Sequence, residues 1–214
     1  MLQLEKLALH RPGNIFCWPS DMQQSENLLL VFFGMIAAGK SYLASAWAQQ
    51  FEFPYYNSDR VRKELAGISA ETVQQAAVDA GIYTPEFNRR TYDTLIEKAK
   101  AHFSEDRLAC VVLDGSYQSL AEREILRKQF MGQCSIVFVY CSCSEQVVKE
   151  RLAIRASDPD AVSDGNWEIY QAQKKRFQQL TEEEEAMEID TDAPLEDLLA
   201  QINGLLVKRK LFKR

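Results

Sequence analysis

Short apolar runs alternate with amphipathic segments along most of the chain. Five runs have the length and the continuous apolar character of buried strands, and they stand at residues 27–33, 53–57, 108–115, 134–142 and 186–190. The segments between them, such as SYLASAWAQQF and SEQVVKERLAIRA, carry apolar residues at helical spacing. Strands that are apolar along their length and alternate with helices indicate a parallel sheet with helices on both faces. The pattern therefore predicts an α/β domain built on a five-stranded parallel sheet.

The same pattern sets the expected domain organisation. Residues 1–27 show no sustained period and are interpreted as an N-terminal extension, residues 28–203 form the predicted domain, and residues 204–214 form a basic C-terminal tail. The turn-rich stretch SDPDAVSDGN, at 157–166, is interpreted as a mobile loop. Residues 68–84 have scattered apolar positions and fit no regular element. The sequence has no internal repeat or low-complexity linker that would indicate a second domain.

Composition narrows the function classes. The chain has 214 residues, of which 46% are hydrophobic and 26% are charged, and its formal net charge is −6. This acidic balance argues against a protein that coats long stretches of nucleic acid, because such contact needs a basic surface. No apolar segment approaches the roughly 18 residues needed to cross a membrane, and neither end reads as a targeting signal. We therefore expect a soluble, cytoplasmic protein whose oligomeric state the sequence does not predict.

The cysteines are odd in number and stand mostly inside apolar runs, which argues against a disulfide framework. They are Cys17, Cys110, Cys134, Cys141 and Cys143. Reduced, mostly buried thiols are the simpler interpretation. The alternative is a metal or redox pair formed by Cys141 and Cys143, although C-x-C alone supplies too few ligands for a metal site.

The strongest motif is GMIAAGKS, which follows the first predicted strand and precedes a predicted helix. It meets the phosphate-loop pattern G-x-x-x-x-G-K-[ST], whose fixed positions here are Gly34, Gly39, Lys40 and Ser41. In such a loop, N–H groups face phosphate oxygens, the lysine reaches the terminal phosphates and the hydroxyl holds Mg²⁺. The predicted nucleotide contacts are Gly34, Met35, Ile36, Ala37, Ala38, Gly39, Lys40, Ser41 and Tyr42. The alternative is a chance match in a tight turn, and Ala37 and Ala38 stand where another glycine is usual.

A charged element, NSDRVRKEL, follows the second predicted strand. Ligands of open parallel sheets sit beyond the carboxyl ends of the strands, so Asp59 is expected near the phosphate loop, with Arg62 on the same side of the next helix. An acid that accepts a hydroxyl proton beside an arginine that holds the acceptor suits phosphoryl transfer. Alternatively, Asp59 only caps the helix and Arg62 forms a surface ion pair with Glu64 or another acid.

A second acid ends the strand VVLD. Asp114 is predicted to hold a water of the Mg²⁺ shell there and, with Ser41, to form the metal site. The alternative is that it only forms a turn beside Gly115.

Two arginines, Arg151 and Arg155, are four residues apart and share one face of a predicted helix that leads into the turn-rich loop. Such a pair could close over the nucleotide as a lid, neutralise the developing charge and exclude water. Solvated helix charge beside Glu150 is the alternative.

In this order, the elements resemble the P-loop kinases of the adenylate-kinase-like class. The likeness is carried by GMIAAGKS, NSDRVRKELAG, RRTYDTL, VVLDGSYQ, RLAIRASDPDAVSDG and YQAQKKRF, and it covers residues 28–203. The chain looks most similar to the kinase-like ATPases related to zeta toxins, to the 5′-kinase domain of phage polynucleotide kinase and to the ATP-binding half of aminoglycoside-phosphotransferase fusions. The resemblance implies a P-loop NTPase fold with a lid, and the use of ATP and Mg²⁺.

The resemblance also implies catalytic roles. Asp59 would be the general base, and Arg62 would contact the acceptor phosphate, as in the polynucleotide-kinase motif. Arg151 and Arg155 would be lid arginines, one near the adenine and one on the transferring phosphate. Together with Lys40, these arginines would stabilise the transferring group.

The resemblance implies weaker assignments elsewhere. The stretch EIDTDAP matches the last strand and the loop that passes the adenine ring, which makes Thr191 and Asp192 candidates for base contacts. Tyr83, Arg89 and Arg90 stand in the part of the chain where such kinases vary most, and they are predicted to shape the acceptor site.

Three functions remain open at this point. The leading one is an ATP- and Mg²⁺-dependent kinase acting on a hydroxyl, which could belong to a nucleic-acid 5′ end, a nucleotide sugar or a small polyol-like molecule. The second is a nucleotide-gated regulatory ATPase without a small-molecule product. The third, suggested by Ala37 and Ala38, is a nucleotide-binding scaffold without catalysis.

Overall fold

The computed structural model describes residues 23–24, 26–69, 81–104, 109–156, 166–181 and 184–213. Most of the predicted N-terminal extension, the centre of the unassigned stretch 68–84 and the predicted mobile loop up to residue 165 lie outside these ranges. The strands are β1 Gln23–Gln24, β2 Leu28–Phe33, β3 Tyr55–Asn57, β4 Cys110–Asp114, β5 Ser135–Ser142, β6 Met187–Asp190 and β7 Phe212–Lys213. The helices are α1 Lys40–Gln50, α2 Ser58–Leu65, α3 Pro85–Phe103, α4 Leu120–Phe130, α5 Glu145–Ala156, α6 Trp167–Arg176 and α7 Leu195–Lys208, with a 3₁₀ turn at Gly81–Tyr83.

Five strands form one parallel sheet in the order β3-β4-β2-β5-β6. The predicted five-stranded parallel sheet is therefore confirmed. Its central strand β2 is buried along its whole length. Even-numbered residues of β2 join the core that contains Trp47 of α1 and Ile202 of α7, and odd-numbered residues join the core of Leu95 and Leu126. This alternation explains why the strand is apolar throughout, since helices cover both of its faces.

The strands β2, β3 and β4 end at one edge of the sheet. Their register pairs Asp114 with Phe32 on one side and with Asn57 on the other. The loops that follow these strands therefore meet at the carboxyl edge, where ligands of open α/β sheets sit.

Capping residues fix where two helices begin near this edge. The side chain of Asn57 accepts hydrogen bonds from the backbone N–H groups of Asp59 and Arg60, both at 3.0 Å, so α2 starts at Ser58. Thr84 caps α3, and Pro85 occupies its first turn, where a helix needs no N–H donor.

The C-terminal segment packs into the domain. Helix α7 continues past the predicted boundary at residue 203, and β7 pairs antiparallel with β1. Leu206, Leu211 and Phe212 are buried in the core that contains Trp47. Apolar residues stand between the basic ones and anchor them, so residues 204–213 belong to the folded domain rather than to a separate tail.

The described cysteines are free, and Cys110 and Cys141 are fully buried. Burial raises the pKa of both thiols. Within the described ranges, no group of three or more His, Cys, Asp or Glu residues is placed to hold a metal ion. The alternative of a metal pair at Cys141 and Cys143 therefore gains no support, and Cys17 lies outside the described residues.

In the part of the chain that the structure describes, no helix is long and apolar enough to cross a membrane.

Candidate functional site

The predicted phosphate loop connects β2 to α1, and both of its glycines are required by geometry. At Gly34, where φ is 143°, a Cβ atom would lie 2.3 Å from the carbonyl oxygen of Cys141. At Gly39, where φ is 76°, a Cβ would lie 2.9 Å from Oγ1 of Thr191 and 3.1 Å from Nη1 of Arg151. Any side chain at either position would therefore clash, which supports a close-wrapped loop at the N-terminus of α1.

Ala37 adopts the left-handed backbone conformation, with φ at 60°. Its side chain is buried in a small apolar cluster with Val148 and Leu152 of α5 and Tyr170 of α6. Its carbonyl oxygen accepts a hydrogen bond from Nη1 of Arg151 at 3.2 Å. The loop therefore keeps a glycine-like conformation at this alanine, and packing and a hydrogen bond from α5 hold it there.

Replacing Ala37 with glycine is expected to change the free energy of unfolding by no more than about 1 kcal/mol. Glycine removes a left-handed backbone cost of roughly 1–2 kcal/mol, but it loses a buried methyl worth about 0.8 kcal/mol and adds unfolded-state entropy of about 0.4–1 kcal/mol. The contrasting variant Ala37→Val is expected to lose about 2–4 kcal/mol, because a β-branched residue at positive φ is strained and overpacked. Urea unfolding measures both, and a glycine variant weakened by about 3 kcal/mol would contradict this balance.

Asp114 is fully buried at the end of β4. Its Oδ2 accepts hydrogen bonds from the hydroxyl of Tyr55 at 2.8 Å and from Nδ2 of Asn57 at 2.5 Å. Its Oδ1 is also buried and has no hydrogen-bond partner among the described residues. Nδ2 of Asn57 also lies 3.5 Å from Oγ of Ser41, so it links the two predicted metal ligands. The buried Oδ1 of Asp114 has no partner among the described residues, and Asn57 connects this residue to the hydroxyl of Ser41 in the loop. Both groups supply oxygen atoms, which Mg²⁺ prefers as ligands.

Asp59 and Arg62 are brought together as predicted. Nη1 of Arg62 donates to Oδ1 of Asp59, and Nη2 donates to Oδ1 of Asn88 at 3.0 Å. The guanidinium also lies 4.9 Å from the ring centroid of Tyr83. Asn57 rather than Asp59 caps the helix, and Arg62 is buried and pairs with Asp59 rather than with Glu64.

The remaining predicted acceptor residues lie apart from this group. Arg89 pairs with Asp93 one turn further along α3. Arg90 is exposed, and its guanidinium lies 6.0 Å from the ring of Phe87. Among the described residues, Tyr83 therefore contacts Arg62, whereas Arg89 and Arg90 have the other neighbours just named.

Arg151 and Arg155 have different surroundings although they share a helix. Nη1 of Arg151 donates to Oγ1 of Thr191 at 2.9 Å and Nη2 donates to its carbonyl oxygen at 2.7 Å, in addition to the bond to Ala37. Arg155 has no hydrogen-bond partner among the described residues. Burial, and then the charge of Arg151, lowers the pKa of Arg155, while the charges of Asp59 and Asp114 oppose that shift. Arg155 is thus close enough to both site carboxylates for their charges to affect its pKa, whereas Arg151 bonds the phosphate loop.

Thr191 and Asp192 stand in the turn after β6. The hydroxyl of Thr191 is within hydrogen-bond distance of the carbonyl oxygens of Ala38 and Ser142, at 3.0 and 3.1 Å. Asp192 is exposed and accepts a bond from the backbone N–H of Ser144 at 3.3 Å. Thr191 thus hydrogen-bonds the phosphate loop, while the Asp192 carboxylate stays at the surface.

Tyr42, the last predicted nucleotide contact, lies in the first turn of α1 and is 65% exposed.

Three side chains contact the site although no pattern in the sequence singles them out. Tyr55 bonds Asp114, and Asn88 accepts a hydrogen bond from Arg62. Oε1 of Gln173 in α6 accepts from the backbone N–H of Ile36 at 2.8 Å, which joins α6 to the phosphate loop. Each contact bridges elements far apart in the chain, so no local spacing could have indicated it.

Solved structures with the same fold include several kinases. A gluconokinase from Sinorhizobium meliloti 1021 superposes with a TM-score of 0.59 at 20% identity, covering 87% of this chain and 94% of the other. A sugar kinase from Janibacter sp. HTCC2649 gives 0.61 at 18% identity, with coverages of 85% and 95%. Shikimate kinase from Aquifex aeolicus vf5 gives 0.53 at 13% identity, with coverages of 86% and 98%. At these identities the likeness concerns the fold, which confirms the predicted P-loop kinase-like architecture.

Curated protein sequences include no significant match to this chain. The predicted likeness to zeta toxins and to phage polynucleotide kinase is not confirmed and stays a prediction. A family model described as "AAA domain" matches residues 29–180, which is more than half of the chain and contains the phosphate loop, both acids and both arginines of the site. The chain belongs to this AAA domain family.

Proposed function

We propose that this protein is an ATP- and Mg²⁺-dependent kinase that transfers the γ-phosphoryl group to a hydroxyl of a small molecule. The observation that carries the proposal is geometric: Nδ2 of Asn57 lies within hydrogen-bond distance of both Asp114 and Ser41, which joins that acid to the phosphate loop. Asp59 stands two residues after Asn57, and the charges of Asp59 and Asp114 both act on the pKa of Arg155. These acids follow adjacent strands at the carboxyl edge of the sheet, beside the phosphate loop. A cation, a candidate base and a candidate metal-binding acid therefore converge where a γ-phosphate would be expected.

The loop supports nucleotide binding through its backbone. The N-terminus of α1 and the N–H groups of the loop favour an anion. Nζ of Lys40 is 3.5 Å from the carbonyl oxygen of Met35, so the side chain lies close to the loop, from which it would reach the terminal phosphates. Arg151 would act mainly by holding the loop in shape, and Arg155 by stabilising charge on the transferring group.

Ser41 and Asp114 would hold Mg²⁺, either directly or through water. When bound, the ion neutralises charge on the phosphates. The partnerless Oδ1 of Asp114 and the link from Asn57 to Ser41 support this assignment.

Asp59 is proposed as the general base. Its side chain is 31% exposed, so an acceptor hydroxyl can approach it, whereas the side chain of Arg62 is only 6% exposed. Because Arg62 already bonds Asp59 and Asn88, its first role in this chain would be to orient the base. Contact with an acceptor phosphate is the further role that the resemblance implies.

A small polyhydroxy acceptor is favoured over a nucleic-acid 5′ end. The kinases with the same fold are named for gluconate, sugar and shikimate. The net charge of −6 also disfavours a polyanionic acceptor.

The test is a transfer screen with ATP labelled on the γ-phosphate. The acceptors are sugars, sugar acids, cyclic polyols, nucleotide sugars and a 5′-hydroxyl oligonucleotide, and Lys40→Ala serves as the inactive control. We expect label in at least one small polyhydroxy acceptor with the wild-type protein and none with Lys40→Ala. Labelling of the oligonucleotide alone would overturn the acceptor class. Consumption of ATP without any labelled acceptor would favour the regulatory ATPase instead.

A further inference from the structure

The two oxygens of the Asp114 carboxylate have unequal surroundings. Oδ2 accepts two hydrogen bonds, from Tyr55 and Asn57, whereas Oδ1 accepts none from the described residues. A buried carboxylate oxygen without a hydrogen-bond partner is energetically costly. The carboxylate is therefore held in an orientation that satisfies one oxygen and leaves the other for a ligand.

Strand register produces this arrangement. Asn57 lies opposite Asp114, and Tyr55 lies opposite Val112, two residues earlier on both strands. Residues two apart on a strand point to the same face of the sheet. The polar ends of Tyr55 and Asn57 therefore approach Asp114 from one side.

Tyr55 and Asn57 differ in what else they do. Asn57 also caps α2 and contacts Ser41, so its replacement would disturb several parts of the site at once. The hydroxyl of Tyr55 donates to Asp114. A substitution at Tyr55 therefore tests the orientation of the carboxylate with less disturbance to the rest of the site than one at Asn57.

We propose that Tyr55 is a positioning residue for the metal: its hydroxyl fixes Oδ2 of Asp114 and thereby reserves Oδ1 for Mg²⁺ or a water in its shell. The inference rests on the magnesium site of the proposed function. It predicts that Tyr55 affects the nucleotide only through the metal, since its contact is with Asp114 and not with the phosphate loop.

The test measures the binding of the ATP analogue AMP-PNP by isothermal titration calorimetry, with either EDTA or Mg²⁺ present. In wild type, Mg²⁺ should strengthen binding. In Tyr55→Phe, we expect that gain to fall by about tenfold, the lower end of the effect of removing a residue that supports a metal ligand. Affinity in EDTA should stay within about twofold of wild type, because the phosphate loop is untouched.

Tyr56→Phe is the matched control. It removes a tyrosine hydroxyl from the same strand, but that hydroxyl faces His102 at 2.8 Å on the other side of the sheet. It should leave the magnesium gain unchanged. If Tyr55→Phe kept the full gain, or lost affinity equally in EDTA and in Mg²⁺, the positioning role would be refuted while the proposed function stood. If wild type bound no AMP-PNP under either condition, the proposed function itself would fail.

Discussion

Replacing Asp59 with asparagine is expected to lower the rate of phosphoryl transfer by about 10²–10⁴-fold, the usual contribution of a general base. Asparagine has the same shape, and its Oδ1 can still accept the hydrogen bond from Arg62. It cannot take a proton from the acceptor hydroxyl. The loss should therefore appear in kcat for the acceptor identified by the transfer screen, while AMP-PNP affinity stays within about twofold of wild type.

The matched control is Asp93→Asn. Asp93 is also paired with an arginine, Arg89, but the pair lies on the exposed part of α3. This variant should keep near wild-type kcat, since exposed pairs contribute about 0–1 kcal/mol and neither residue bonds Asp59 or Arg62. An Asp59→Asn enzyme with at least half of the wild-type rate would show that another group accepts the proton. Equal thermal unfolding midpoints for wild type and Asp59→Asn would confirm that any loss is catalytic.

The sequence predicted the scaffold of this site well, because the scaffold depends on local patterns. Strand β2 was predicted from a run of apolar residues, and helix α5 from the helical spacing of apolar residues in SEQVVKERLAIRA. The strand, loop and helix around Gly34–Ser41 follow from the phosphate-loop pattern alone. Each of these features is encoded within about 20 residues, so no knowledge of the tertiary structure was needed.

The side-chain contacts between distant elements could not be predicted, because they depend on which strands and helices lie side by side. Tyr55 reaches Asp114 only through the register of β3 against β4. Arg151 was predicted as a lid arginine, with solvated helix charge as the alternative, and its hydrogen bonds to Thr191 arise because the turn after β6 lies beside the phosphate loop. Ala37 departs from the glycine pattern, and only the structure places its methyl group against α5 and α6.

A buried ion pair supports the loop that follows Asp114. Arg123 of α4 is fully buried, and its Nε and Nη2 donate to the carboxylate of Glu184 at 2.5 and 3.1 Å. Its Nη1 donates to the carbonyl oxygen of Tyr117, at 2.9 Å, in a loop where Tyr117 itself has a positive φ of 39°. The pair therefore ties this strained loop to the segment before β6. Burial tends to raise the pKa of Glu184, but hydrogen bonds and charge from Arg123 outweigh that effect and lower it overall.

Arg123→Met is expected to lower the free energy of unfolding by about 3 kcal/mol at neutral pH, because the buried Glu184 loses its hydrogen-bonded cation and keeps only Arg127, 3.6 Å away. The lowered pKa of Glu184 means that the pair stabilises the fold above the carboxyl's unfolded value and loses that effect as the pH falls through its folded value. In the variant, a protonated Glu184 no longer carries a buried charge that Arg127 alone must balance. The difference from wild type should therefore shrink between about pH 7 and about pH 4.5.

Lys128→Met on the same helix is the control for this measurement. Lys128 pairs with Glu124 at 3.9 Å, and both side chains are at least half exposed. Its loss should cost no more than about 0.5 kcal/mol at any pH. Urea unfolding of wild type and both variants at the two pH values gives the comparison. A difference for Arg123→Met that stays constant with pH would show that Arg123 contributes through packing against Phe33, 5.4 Å from its guanidinium, rather than through the charge of Glu184.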